Sequence, residues 1–141
     1  MKKLRRYILP MALIITTGLL AMSYVFRSPE NSVAKEQAVF QIGANDLFSS
    51  FETDENAANE KFIGKVIEVS GEVVSTEQTA NGQLEVLLMV ENPMGGVRCV
   101  FETAQQKVIG KLKTGQTASI KGKCSGMLME VVLDNCALTG N

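Results

Sequence analysis

Apolar and polar positions divide this chain into two regimes. From Tyr7 to Phe26 no charged residue interrupts a largely apolar run, whereas from about Asn45 onward apolar residues recur at helix or strand spacing. Twenty residues rising about 1.5 Å each span roughly 30 Å, the hydrocarbon thickness of a bilayer. The first regime therefore predicts a single transmembrane helix over residues 7–26, and the second a folded domain.

Within the second regime, Leu47, Phe48, Phe51, Ala58 and Phe62 recur at intervals near three, four and seven. That spacing lines one face of a helix over 45–61, with Asn45 as N-cap and Gly64 as its end. Thr53-Asp54 offers an alternative restart, which would give two short helices. From Lys65 to Gln78 the period changes to two: Ile67, Val69, Gly71 and Val73 alternate with Glu68, Ser70 and Glu72. Gly71, on the inward face, suggests a bend or bulge. Asn81-Gly82 marks a hairpin leading to Leu84, Val86, Leu88 and Val90 on one face of a second strand. After the turn Asn92-Pro93-Met94-Gly95-Gly96, a third strand buries Val97, Cys99 and Phe101. A short helical connector over 103–111 and a turn at Thr114-Gly115 precede a fourth strand, with Ala118, Ile120, Gly122 and Cys124 inward. A turn over 125–129 and a fifth strand over 130–138 complete the chain.

The order is helix, three strands, connector, two strands. Five curved strands, the first bent at glycine, fit a small closed OB-like barrel, and closure removes edges that invite aggregation. An open five-stranded sheet packed on one helix is the alternative. The predicted layout is a basic N-terminus over 1–6, a transmembrane signal-anchor over 7–26, a polar linker over 27–43 and the mainly β domain with its N-terminal helix over 44–141.

Charge adds a direction. Lys2, Lys3, Arg5 and Arg6 precede the apolar run and only Arg27 closes it, which places the N-terminus in the cytoplasm and the domain outside it. Removal of these five leaves nine of the 14 Lys+Arg against all 15 Asp+Glu, so the exported part carries −6. Such a surface repels phosphates at long range. A cleaved signal peptide is the competing reading, with small residues at Ala21-Met22-Ser23 allowing cleavage near Ser23. Apolar character continuing through Tyr24, Val25 and Phe26 favours an uncleaved single-pass anchor in the cell membrane. No cysteine directly follows the run, so a lipid-modified N-terminus of the bacterial lipoprotein kind is not expected.

Several motifs of the domain belong together. Gly64-Lys65, Gly71, Cys99-Val100-Phe101, Gly115, the run Lys121-Gly122-Lys123-Cys124-Ser125-Gly126 and the run Val131-Val132-Leu133-Asp134-Asn135-Cys136 resemble the tRNA_anti-like family. The resemblance covers roughly residues 46–138. It implies a small bacterial OB-fold domain, often behind an anchor or signal, and brings no catalytic residues with it.

Candidate chemistry is sparse. OB domains that bind single strands use basic and aromatic side chains around their second and third strands. Here those outer positions are Glu85, Leu87, Met89, Glu91, Arg98 and Val100, with no aromatic among them, so nucleic acid is disfavoured as a partner. Lys107, Lys111, Lys113, Lys121 and Lys123 read as scattered solvated lysines. The chain has no histidine, the usual general base, and no Cys-x-x-Cys pair, so neither hydrolytic nor redox catalysis is expected. No cofactor or metal is expected either, since three cysteines without histidine leave a zinc site a ligand short.

Cys99, Cys124 and Cys136 read as buried small hydrophobes or as one disulfide with one free thiol. In an OB barrel the third and fifth strands run side by side, which favours Cys99 with Cys136 over Cys124 with Cys136. Such a bridge closes a loop of 38 residues and contributes roughly 3–4 kcal/mol in the chain-entropy model. The reading is a membrane-anchored, envelope-facing, non-enzymatic binding or scaffolding module for a protein or small ligand. Its candidate contact surface is Leu87, Met89, Arg98 and Val100, though Leu87 and Met89 could instead cover the helix phenylalanines. A nucleic-acid-binding OB domain and an exported redox- or ligand-responsive domain are the alternatives.

Overall fold

The computed structural model describes residues 32–140, so the expected transmembrane run from Tyr7 to Phe26 and its basic leader lie outside the described residues. Among the described residues no helix is long and apolar enough to cross a membrane.

Ser32–Lys35 forms one helical turn, α1, and Phe40–Gly43 a short strand, β1. Two helices follow, α2 over Ala44–Thr53 and α3 over Glu55–Phe62. The helical segment thus takes its two-helix form. Asp54 breaks it in an extended conformation and caps α3, its carboxylate accepting from the Ala57 N–H at 3.0 Å. Asn45 is not an N-cap as expected: Gly43 holds that position without a side-chain bond, and the Asn45 amide oxygen instead accepts from the Glu91 N–H at 3.0 Å. Gly64, just past α3, has φ +76°, the left-handed conformation that ends helices at glycine.

The barrel strands are β2 (Val66–Gln78), β3 (Leu84–Leu88), β4 (Val97–Phe101), β5 (Thr117–Met127) and β6 (Val131–Gly140). A turn of 3-10 helix and the short helix α4 (Gln106–Ile109) lie between β4 and β5. Their order is β2-β3-β4-β6-β5, and a β2–β5 pairing returns the last strand to the first, a closed five-stranded barrel. β4 and β6 run parallel, with Val97, Arg98 and Cys99 opposite Val131, Val132 and Leu133; the other neighbouring pairs of the barrel are antiparallel. β2 serves both sides of the closure. Val66–Glu72 pairs with β5, and its register with β3 slips between Val73 and Ser75. The irregularity therefore falls at Val74 and not at Gly71. Gly71 answers a close approach: a Cβ there would stand 2.9 Å from the Ala44 Cβ and 3.3 Å from that of Leu88.

The alternating positions read from the sequence are the core. Ile67, Val69, Val73, Val86, Leu88, Val97, Cys99, Phe101, Ile120 and Leu133 are fully enclosed, and among the described residues no polar or charged side chain is buried. Phe48, Phe51 and Phe62 join this core from α2 and α3, and Ile109 from α4. The two helical regions close opposite ends of β3. Asn92 Nδ2 bonds Glu52 Oε1 at 2.7 Å where the β3–β4 loop meets α2, and Thr103 Oγ1 bonds the Gly82 carbonyl at 3.2 Å at the hairpin end.

The segment expected as linker partly joins the sheet. β1 lies parallel to β2, Phe40 opposite Ile67 and Ile42 opposite Val69, as a sixth strand outside the closed five. Phe40 packs edge-on against Phe62 with centroids 5.5 Å apart, and the Lys61 and Lys65 ammonium groups each lie 5.6 Å from its centroid. Lys121 Nζ donates to the carbonyls of Ala34 at 3.0 Å and Glu36 at 2.7 Å, so this lysine straps the incoming chain to β5. Phe40→Ala removes the half-buried ring and is expected to cost about 1–2 kcal/mol. Amide exchange is expected to accelerate at residues 40–43 while the ladders of the five barrel strands stay protected, and hydrogen-exchange mass spectrometry reads both.

Candidate functional site

Period-two alternation on β3 and β4 turns Glu85, Leu87, Arg98 and Val100 outward while their neighbours fill the core. Register places Leu87 directly opposite Arg98 and Glu85 opposite Val100. On the other side of β3, Ser75 faces Leu87 and Glu77 faces Glu85. Three of the four expected contact residues are thus brought together. Met89 lies one residue beyond β3, half exposed, its N–H bonded to the Glu72 carbonyl at 2.8 Å.

Charge organises the middle of this face. Glu85 and Glu130 are diagonal neighbours of Arg98, one from β3 and one from the turn before β6. Arg98 Nη1 lies 3.4 Å from Glu85 Oε2, Nε donates to Glu130 Oε2 at 2.6 Å, and Nη2 pairs with the same oxygen. Glu77 stands across from Glu85, a like-charge pair that costs energy. Ser75, Glu77, Glu85, Leu87, Arg98 and Glu130 line a depression of about 170 Å³. One cation against three carboxylates makes it acidic, and the cation is already held.

Leu87 does not cover the helix phenylalanines. Phe48, Phe51 and Phe62 enter the barrel core, while Leu87 lies over Gly96, whose added Cβ would stand 2.6 Å from Leu87 Cδ1. The expected lysine group is also not wholly solvated, because Lys121 is spent on the Ala34 and Glu36 carbonyls.

Two features escaped the sequence reading. Glu130 joins Arg98 only because β4 and β6 are parallel neighbours, a pairing no local pattern encodes. The turn before β6 carries Leu128, 93% exposed, and Met129, 71% exposed. Its signal was present, since the apolar run Met127-Leu128-Met129 carries two large apolar residues past the end of β5 into a turn. This turn adjoins the β3–β4 loop, where the Val131 N–H donates to the Gly96 carbonyl at 3.0 Å and Met94 is 76% exposed. A cavity of about 420 Å³ opens behind it, between α3 (Glu55, Asn59) and Ile63 on one side and Met127, Leu128 and Val132 on the other.

The cysteines are buried free thiols. Cys99 and Cys136, expected as a bridge, adjoin as thiols, while Cys124 on β5 sits against Gly126 and Asp134. Burial above all holds the Cys136 thiol well above its ordinary range, and burial also raises that of Cys124.

A five-stranded barrel closed by a parallel β4–β6 pair, with a helix between its third and fourth strands, defines an OB-fold domain. The chain belongs to the tRNA_anti-like family, whose pattern it matches over residues 1–138, further toward the N-terminus than the resemblance read from its motifs. No curated protein matches the chain. Among solved structures it is similar to a candidate nucleic acid-binding lipoprotein from Klebsiella pneumoniae, at 16% identity and TM-score 0.60, covering 80% of this chain and 99% of that one. It is also similar to asparaginyl-tRNA synthetase from Pyrococcus horikoshii, at 14% identity and TM-score 0.42, covering 57% of this chain and 21% of that one. A further likeness is to the Stn1–Ten1 complex of S. pombe, at 16% identity and TM-score 0.44, covering 54% and 57%. The Klebsiella likeness establishes a shared fold.

Arg98→Leu leaves Glu77, Glu85 and Glu130 to repel one another across a partly solvated surface. The expected loss is about 1 kcal/mol at most. It shrinks as added salt shortens the screening length, which urea unfolding at low and high ionic strength measures.

Proposed function

We propose that this chain is a membrane-anchored, envelope-facing binding module, non-enzymatic, whose partner is a protein engaged by the outer β3–β4 face and the turn before β6. One observation carries the reading: the face on which OB domains take their ligands has here an ion-paired, carboxylate-rich centre, a lip of methionine and leucine, and no aromatic platform. Leu87 and Val100 lie on the strands, Met89 and Met94 in the β3–β4 loop, and Leu128 and Met129 in the turn. Methionine and leucine offer adaptable apolar contact to a protein surface, whereas stacking of bases needs aromatic faces. The single guanidinium of the face is occupied by Glu85 and Glu130. The membrane side of the proposal comes from the apolar run between Tyr7 and Phe26 and its four preceding cations. Absence of histidine from the chain supports the non-enzymatic part.

The second reading is nucleic-acid binding, favoured by the likeness to the Klebsiella protein over nearly its whole length. Affinity of that kind rests on freed phosphate counterions and is strongest at low salt. The full-length protein in detergent is expected to give no shift in fluorescence anisotropy with a labelled single-stranded oligonucleotide at low salt. A salt-sensitive shift reverses the preference between the two readings.

Leu87→Glu and Leu128→Glu test the protein-binding reading directly. Each is expected to reduce cross-linking of the intact protein to its partner in native membranes by about tenfold or more. The thermal unfolding of Leu128→Glu is expected to stay close to that of the unmodified chain, because Leu128 has almost no packing to lose. Retained cross-linking in both variants removes this face from the proposal.

A further inference from the structure

Phase along β6 changes just where its cysteine falls. Leu133 points into the barrel, so regular alternation would turn position 136 outward. Instead the register with β5 slips: Lys121 pairs with Ala137 and Lys123 with Asp134, two residues against three. Within that bulge Asn135 has φ +52°, the one non-glycine residue in the left-handed region among those described. Asparagine tolerates this conformation better than most residues. The result is that Cys136 returns to the interior, 1% exposed.

Space there is prepared for its sulfur. A Cβ on Gly122 would stand 2.5 Å from the Cys136 Sγ, so the glycine of β5 leaves the volume that the sulfur fills. The thiol donates to the Leu133 carbonyl at 3.2 Å and lies beside Cys99, whose own register partner is Leu133 on the parallel neighbour. Only three residue pairs join β4 to β6, Cys99–Leu133 being the last, whereas seven join β2 to β5. Cys99 and Cys136 are therefore neighbours at the end of the shortest seam in the closed barrel. Cys124 on β5 has the same Leu133 as its register partner, but it is not among the groups around the Cys136 thiol, whereas Cys99 is.

We propose that Cys99 and Cys136 are a disulfide-forming pair that locks the β4–β6 seam, with Cys124 left as the unpaired thiol. The electron acceptor is an external disulfide, either a small-molecule disulfide or that of an oxidoreductase. One cysteine, as thiolate, attacks it and releases one thiol; the second cysteine displaces the other from the mixed disulfide. The two cysteines lose two electrons and two protons, and the external disulfide becomes two thiols. Both sulfurs are buried in the folded barrel, which shields the closed bridge from reductants. Occurrence of the bridge in the cell rests on the export reading, since that compartment supplies the oxidant.

The full chain is denatured, reduced and refolded in detergent with oxidised and reduced glutathione. It is then alkylated in denaturant, reduced, and alkylated with a second reagent of different mass. The expected pattern is first label on Cys124 alone, second label on Cys99 and Cys136, and a linked peptide joining 99 to 136. The bridged form is expected to melt about 10 °C or more above the reduced one. Cys124→Ala, which keeps the pair, is expected to retain that difference. First label on all three cysteines, or a link through Cys124, overturns the proposal. The same labelling on acid-quenched native membranes tests export separately: the bridge in glutathione with free thiols in the membrane sample overturns the location and leaves the pair intact.

Discussion

Closure of the barrel hangs on β2, a strand of 13 residues asked to hold three partners. Its first half lies between β1 and β5, and its second half turns away to pair with β3. A flat strand cannot do both, and the slip at Val74 supplies the turn. Absence of a side chain at Gly71 lets α2 come down on the bend, with Ala44 and Leu88 in the space a Cβ would need. Every later pairing, including the parallel β4–β6 seam, follows from the sheet having curled far enough to meet itself.

That curl also decides what the outer surface presents. Bringing β6 beside β4 carries Glu130 to Arg98 and hangs the Leu128–Met129 turn beside the β3–β4 loop. A surface that the strand sequences alone describe as two acids, a leucine, a methionine, a valine and an arginine becomes an ion-paired centre with an apolar lip. The lip is unusual for an exposed turn, because Leu128 and Met129 stay in water when hydrophobic surface would otherwise be buried. The proposed protein partner gives that exposure a use, and the carboxylates at the centre of the face oppose phosphate.

The incoming chain is more closely bound than its polar composition announces. β1 contributes Phe40 to a cluster with Phe62, and two lysines lie near its ring. Lys121 spends its ammonium on two backbone carbonyls ahead of β1. These contacts begin the domain about ten residues earlier than the helix pattern does. They were illegible beforehand because four residues, Phe40 to Gly43, give too short an alternation to stand out, and their partner strand begins more than 20 residues later.

What the sequence determined by itself is whatever depends on near neighbours. The inward faces of β2, β3, β4 and β5 and the Asn81-Gly82 hairpin repeat a local period or obey a local backbone preference. The family resemblance carried the barrel topology further than periodicity could. Only the tertiary structure decided the partners of Arg98, the strand at Phe40–Gly43 and the bulge at Asn135 by which Cys136 reaches the interior. Each of these depends on register between distant segments, and a single extra residue in a bulge reverses which face a side chain takes.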